Sequence, residues 1–584
     1  MKKFIASLLA LTMFLPCAVA CGGGDNSSSS SSSAGGDSSV SSDSSVGGDS
    51  SSEETSSSNE PKDYSHLLTR EDGDLYVRYF KGGNGEEWLY PIADAFEKET
   101  GIKVYLECDD DITTNIPTIL EGAHPTSGSP GQSMLKRLPD VCMTQTLKWQ
   151  EYVNKGWFAN IDEVYSYQYE DEGNVTLKEK LIEGADKFGY MGQTPDDALE
   201  GNKHYWAVPW TSPLTGIVYN VDMLKSLGGK WANGYVPATV TELMELIDDL
   251  NDEGITPFSW GGDGNGMGYW NFMFMSFWAS YQGYDVSYNN GHAKYGSMMD
   301  FYNFVDDQGN MDGGFNSFDQ AGRKIALKVI QDLIVDTSSA NKKDWAWTNS
   351  ISHPVSKTAQ EAQDKFAFGE AAMIPTGSWI KNEIEEVVEE LEEEGEPLHY
   401  ALMPTPAVDL AYVQKVAGAL GLNAQEIHGG LLADGTFETA ENTGTYAQIN
   451  NTEIGDLIFV PQNAVKKADA IKFLQFMNKQ EWVESATVDM GIARPFKYSP
   501  SALSGHSDFT KSVFAVYENE NAVNVIRKSE SSIFAYATIK EWAERNESDI
   551  LLQLDAKTAA GLIEEVLLNA SDNWNNWLLK AGLF

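Results

Sequence analysis

"DLYVRYFKGGNGEEWLYPIADAFEKETGIKV", residues 74–104, is the stretch that decides the fold. An apolar run, Leu75-Tyr76-Val77-Arg78-Tyr79-Phe80, stops at Gly82, Gly83 and Gly85, and an amphipathic segment follows. Leu89, Ile92, Ala93 and Phe96 fall at i, i+3, i+4 and i+7, which is one face of a helix, and Gly101 ends it. Ile102 to Leu106 then reads as a second strand. Strand, glycine-rich loop, helix and strand make a βαβ unit, and such units build parallel sheets covered by helices.

Bare amides at the start of a helix attract anions, so the loop invites a phosphate. The detail argues otherwise. A dinucleotide site needs G-x-G-x-x-G, and here Gly83-Asn84-Gly85-Glu86-Glu87 is followed by Trp88. A P-loop needs Gly-Lys-Ser/Thr, whereas Gly229-Lys230 is followed by Trp231. Glu86 and Glu87 would also repel a phosphate where it should dock. A neutral, hydroxyl-rich ligand suits the loop better: small residues permit close approach, and Asn84 and Glu86 offer hydrogen bonds.

Working outward, the chain of 584 residues is long enough for two to four domains. It begins Met1-Lys2-Lys3, continues with an apolar stretch from Phe4 to about Leu15, and reaches Ala18-Val19-Ala20-Cys21. A basic start, a short apolar core and small residues before a cut describe a signal peptide over 1–20. The cysteine at the cut is similar to a bacterial lipobox, which implies cleavage after Ala20 and a lipid on Cys21. Residues 21–62, rich in Ser, Gly and Asp, cannot bury enough apolar surface to fold and read as a flexible tether. Trp270 to Tyr281 spans twelve residues, too few for a bilayer, and reads as a buried helix.

The net charge is −45, with 86 acidic against 41 basic residues. That balance excludes nucleic acid as a partner, because phosphate backbones are held by basic surface. The acidic run Glu383 to Glu396 reads as a solvated helix face with its following turn, not a metal site. Asp306 to Asp312 lacks the spacing and closing Glu of a calcium loop and reads as a surface turn. Cys108 and Cys142 remain once Cys17 leaves with the signal and Cys21 takes the lipid. Outside the cell they could pair, or both could stay as thiols. No His-Glu-x-x-His or Gly-x-Ser-x-Gly occurs, and no cofactor or metal is expected.

Further along, Thr239-Val240-Thr241-Glu242 is a capping box, and Leu243, Leu246, Ile247 and Leu250 form the apolar stripe behind it. Helix and strand patterns alternate throughout, an α/β body. Residues 110–138, 165–203 and 405–450 are polar or turn-rich and read as insertions in surface loops.

The opening stretch resembles the start of extracellular solute-binding protein family 1, the sugar-binding lipoproteins of ABC importers that include maltose-binding protein. Four further segments resemble the family in order. "LPDVCMTQTLKWQEYVNKGWFANI" is similar to its third strand and helix, and "HYWAVPWTSPLTGIVYNVDML" to its first crossing between lobes. "FAFGEAAMIPTGSW" is similar to the return strand, and "AIKFLQFMNKQEWV" with "MGIARPF" to the C-terminal lobe. The resemblance implies a two-lobed, type II periplasmic-binding-protein-like fold. Each lobe is then a mixed sheet flanked by helices, with the ligand cleft between them. Placed by these segments, the N-terminal lobe comprises 74–210 plus 373–455, and the C-terminal lobe 211–372 plus 456–584.

Sugars offer hydroxyls at the ring edge and apolar C–H faces, so a sugar site needs aromatic platforms and planar polar groups. The chain has 16 Trp and 25 Tyr to supply the platforms. The resemblance implies ligand contact by Gly83, Asn84 and Glu86 in the first loop and by Thr144 and Gln145 after the third strand. Thr144 stands where a stacking aromatic would give a maltose-like site. It further implies Trp210 at the crossing, with Trp260, Asp263, Tyr269 and Trp270 in "PFSWGGDGNGMGYW". Trp379 and Arg494 complete the set. The implied protein is a monomeric, lipid-anchored receptor on the outer face of the cell membrane. It would deliver an oligosaccharide to an ABC-transporter permease and touch the membrane through its lipid alone. A tethered glycan sensor on the same fold and a surface glycosidase are the competing readings.

Overall fold

The first strand forms where the apolar run predicts it, and its register with the second sets the whole first sheet. In the computed structural model β1 (Leu75–Tyr79) pairs in parallel with β2 (Val104–Cys108), Leu75 opposite Val104, and with β3 (Val141–Thr144), Val77 opposite Val141. The structure describes residues 62–582 apart from 126–128, 146, 148, 262–263, 286–295, 307–308, 335–357, 453–455, 526–535, 537–549, 552 and 555–556. Side chains of 264–268 are also undescribed, and the signal peptide, Cys21, almost all of the tether and Asp263 lie outside the described residues.

Between β3 and the first crossing lie two short ribbons. These are β4 (Gln168–Tyr169) with β5 (Val175–Thr176), and β6 (Tyr190–Met191) with β7 (His204–Tyr205). The remaining strands are β8 (Val208–Pro209), β9 (Leu214–Asn220), β10 (Met373–Gly377), β11 (Tyr400–Met403), β12 (Gln448–Thr452), β13 (Leu457–Phe459) and β14 (Ala522–Val525). The first sheet runs β2-β1-β3-β13-β8, with β13 antiparallel to both neighbours. The second runs β10-β9-β12-β14, and β11 pairs with the far end of β9. Both sheets are mixed and both are flanked by helices.

This pairing corrects the expected division of the chain. Met373–Gly377 is not a return to the first lobe: it lies antiparallel to β9, with Thr376 opposite Gly216. Leu457–Phe459 inserts into the first sheet, Ile458 opposite Met143, and carries the helices Lys467–Met477 and Gln480–Met490 with it. Among the described residues the first lobe therefore comprises about 63–212 and 457–498, and the second about 213–452 and 499–582, except that Tyr536 packs on the first lobe, its Oη donating to Gly192 O at 2.8 Å. Two apolar cores follow the same division. Phe96, of the first helix, meets Phe473 and Phe476 edge-on, while Ile217, Met373, Val525 and Trp577 share the other core.

Local expectations fare better. Leu89, Ile92, Ala93 and Phe96 are all buried along the helix Leu89–Thr100, and Gly101 ends it in the left-handed region at φ +73°. The apolar stripe Leu243, Leu246, Ile247 and Leu250 is buried in the helix Val240–Asp252. Of its capping box one half forms, Glu242 N donating to Thr239 Oγ1 at 3.2 Å. The Glu242 carboxylate reaches one residue further back, to Ala238 N at 2.8 Å. Trp270 to Tyr281 lies within the buried helix Gly264–Gln282. Among the described residues no helix is long and apolar enough to cross a membrane.

One expectation fails for a physical reason, and one open alternative is decided. Residues 110–138 are not plain loop, because the helix Ile112–Ala123 buries Ile112, Ile116, Ile119 and Leu120 in a satellite core. Cys108 and Cys142 remain thiols, one exposed and one buried. Cys108 sits on β2 and Cys142 on β3, with β1 between them. Two strand spacings, about 9–10 Å, exceed the Cα separation that a disulfide spans.

Candidate functional site

The glycine-rich loop becomes one tight turn, Gly82–Asn84, with Gly82 at φ +42° and Gly85 at φ +69°. Positive φ suits glycine, which lacks the Cβ that would clash there. The turn does not face solvent. Gly83 lies against the second lobe, where the segment after β10 begins the short helix Ile380–Glu383. A Cβ on Gly83 would stand 2.6 Å from Trp379 Cβ and 3.1 Å from Glu383 Oε1. Asn382 fastens this contact from the second lobe: its Nδ2 donates to Gly83 O at 2.7 Å and to Met490 O at 3.1 Å, both in the first.

Around Trp379 the second lobe presents aromatic surface. Its ring centroid lies 6.0 Å from Tyr269 and 5.6 Å from Phe272, both on the long helix Gly264–Gln282. Polar groups adjoin the rings. Gln363 Nε2 donates to Glu383 Oε2 at 2.5 Å and lies 3.5 Å from Tyr269 Oη. Burial pushes the Glu383 carboxyl up to about 7, against the opposing pull of the Gln363 hydrogen bond. Near neutral pH this carboxyl therefore exists in both forms, able to donate or to accept.

Beneath the turn, buried Asp456 ties the loop to the chain crossings. Its Oδ2 accepts from Asn84 Nδ2 at 3.0 Å and from Thr211 Oγ1 at 2.6 Å. Ser212 N donates to Ala493 O at 2.8 Å, so the first and third crossings run side by side. These bonds lie where the chain passes between the lobes.

The predicted site residues separate into groups. Gly83, Tyr269 and Trp379 meet where the lobes touch, with Asn84 just below them on Asp456. Glu86 is held within its own lobe, accepting from Tyr79 Oη at 2.6 Å and Lys81 Nζ at 3.3 Å. Burial raises its carboxyl, but hydrogen bonds from Tyr79, Tyr90 and Lys81 outweigh that and hold it below the usual range. Thr144 is buried opposite Leu457 and donates to Gln145 O at 2.9 Å, while Gln145 itself is half-buried.

Four large side chains expected at the ligand sit in packed surroundings instead. Trp210 lies in the first core, 4.6 Å from Trp88. Trp270 and Trp260 are fully buried in the second core, edge-to-face at 6.4 Å, and Trp270 also meets Phe258 at 5.3 Å. Apolar surface of that size is removed from water most completely in a core, and here it outcompetes display as a platform. Arg494 is completely buried, its Nη2 donating to Asn478 Oδ1 at 3.2 Å.

Sequence reasoning missed Asn382, Glu383, Gln363, Phe272 and Asp456. Glu383 opens what the sequence presents as a solvated acidic run, yet buried Ile384 separates it from the solvated glutamates of Glu385–Glu394. The signal that could have found it is its place four residues after Trp379, one helical turn on. Among the described residues no three His, Cys, Asp or Glu side chains are grouped to hold a metal.

Two mixed α/β lobes between which the chain crosses repeatedly, with an aromatic and polar face between them, define a bilobal binding protein. Residues 82–484 match the family of bacterial extracellular solute-binding proteins, and the chain belongs to it. No protein of curated function matches it in sequence. Among solved structures it is similar to an ABC transporter solute-binding protein from Thermotoga lettingae TMO, crystallised with α-D-tagatose bound. The two share 13% identity at a TM-score of 0.53, over 86% of this chain and all of the other.

Proposed function

We propose that this protein is the sugar-capturing receptor of an ABC importer, tethered by a lipid on Cys21 to the outer face of the cell membrane. It closes two lobes on an oligosaccharide and hands the sugar to a membrane permease. One observation carries the reading: the Tyr269, Phe272 and Trp379 rings adjoin Glu383, Gln363 and Asn382 directly against the Gly83 turn. Rings match the C–H faces of a sugar, and planar amide and carboxyl groups match its hydroxyls. Family membership and the tagatose-bound neighbour support the same class of ligand. The protein acts as a monomer in this reading, because both halves of the site come from one chain.

A glycan array on the mature protein, followed by small-angle scattering with the best hit, tests it. A bound oligosaccharide that compacts the particle is the expected result. Binding without compaction would indicate a rigid sensor. Hydrolysis of the sugar would overturn the reading altogether.

A further inference from the structure

Arg494 lies in a buried polar cluster of the first lobe that sugar capture does not explain. Asn478, which follows the helix Lys467–Met477, holds two cations at once. Its backbone O accepts from Lys180 Nζ at 2.7 Å, and its Oδ1 accepts from Arg494 Nη2 at 3.2 Å. Lys180 stands 4.3 Å from the Tyr169 ring centroid, and both cations flank Phe496, at 5.7 Å and 5.2 Å. Lys180 has a carboxylate partner, Glu172 Oε2 at 2.5 Å. Among the described residues Arg494 has none.

The unfilled bonds belong to two guanidinium nitrogens, which only donate, and to a tyrosine hydroxyl, which can donate. Arg494 Nε and Nη1 and Tyr169 Oη are buried without a hydrogen-bond partner among the described residues. Guanidinium groups stay protonated in proteins, so Arg494 carries its charge into a medium where an unpaired ion is very costly. The carbonyl end of the helix supplies a partial negative charge, which offsets part of two cations but fills neither Arg494 nitrogen. Water could accept from the guanidinium but would bring no charge to offset it. An anion accepts the same bonds and supplies that charge.

We propose that Arg494 holds a monatomic anion, chloride under ordinary conditions, in the core of the first lobe, with Tyr169 as its neighbour. Arg494 and Asn478 are both completely buried, so the guest is an ion sealed in place rather than a metabolite in exchange with a cleft. The site adjoins the hinge, because Ala493 next to it accepts the hydrogen bond from Ser212. The ion would fix the segment 491–498 on which that crossing rests.

The test uses the mature protein unfolded in denaturant and refolded in halide-free sodium gluconate, so that no sealed ion is carried over. Thermal unfolding is followed while chloride or bromide replaces gluconate at constant ionic strength. A saturable rise in Tm is expected, as for any ligand bound by the folded state alone. Tyr169→Phe should weaken the halide response several-fold. Crystals of the wild type grown in bromide should show an anomalous peak beside Arg494 Nη1, which keeps the test decisive should Arg494→Gln fail to fold. Equal Tm in gluconate and halide, with water and no anomalous peak at Arg494, would overturn the proposal.

Discussion

Gly83 and Trp379 touch across the two lobes, so closely that a Cβ on the glycine would come within 2.6 Å of the tryptophan Cβ. Real Cβ atoms do not approach that far, and Trp379 Cβ is fixed to its own backbone at the start of a helix. Gly83→Ala should therefore hold the lobes apart without disturbing either core. The expected outcome is a sugar affinity lowered at least tenfold, about 1.4 kcal/mol, with a larger radius of gyration in the presence of ligand. Calorimetry and small-angle scattering read the two effects. Unchanged affinity would mean that the lobes close elsewhere.

Glu383 gives the protein a pH dependence of predictable sign. Its carboxyl titrates near 7 in the folded protein, above the 4.5 of an unperturbed glutamate. Between those values the folded chain keeps a proton that the unfolded chain has released, so stability falls as pH rises through this window. The contribution is fully present below pH 4.5 and gone above about 7. Glu383→Gln should flatten the Tm profile between pH 5 and 8 relative to wild type. Parallel profiles for the two proteins would show that the carboxyl is already ionised at pH 5.

Trp270 and Trp379 should respond oppositely to truncation. Trp270 is sealed in the second core, so Trp270→Ala should cost about 3–5 kcal/mol of stability, as large-to-small changes of buried aromatics do. Trp379→Ala should cost little stability but remove a stacking surface worth on the order of 1 kcal/mol beyond its area, weakening sugar binding several-fold. Urea titration and calorimetry on both variants separate the effects. A stable Trp270→Ala with lost binding would return that ring to the ligand.

The anchor is tested in cells. Cys21→Ala should shift the protein from the membrane fraction to the medium, since Trp270–Tyr281, the long aromatic run, is a core helix rather than a span. Equal retention of both forms would point to another means of attachment.

Elements were legible in the sequence wherever one face alone had to be buried. The stripe Leu89-Ile92-Ala93-Phe96 and the Thr239 cap specify their helices locally, and the structure keeps both. The assignment of strands to sheets was not legible. Every residue of Met373–Gly377 is buried, so its pattern is the same whichever sheet receives it, and its partner Leu214–Asn220 lies far away in sequence. Leu457–Phe459 is as uniform, and only pairing shows that it returns to β3. The site was half legible for a related reason. The family resemblance marks Trp260, Trp270 and Trp379 alike as candidate platforms, and only the fold turns the first two inward.

The insertion of β13 beside β3 has a consequence for biosynthesis. A chain emerging from the ribosome N-terminus first displays β1, β2 and β3 early, yet the strand that completes their sheet is made only after most of the other lobe. Local pairings form quickly and distant ones slowly, because a long loop must close before its contacts stabilise anything. The nascent first lobe thus waits, incomplete, with one side of β3 uncovered. Unpaired strand edges of that kind are where other chains attach and where chaperones are needed. A stop codon placed before Leu457 should yield neither lobe in folded form, however much of the sequence has been translated.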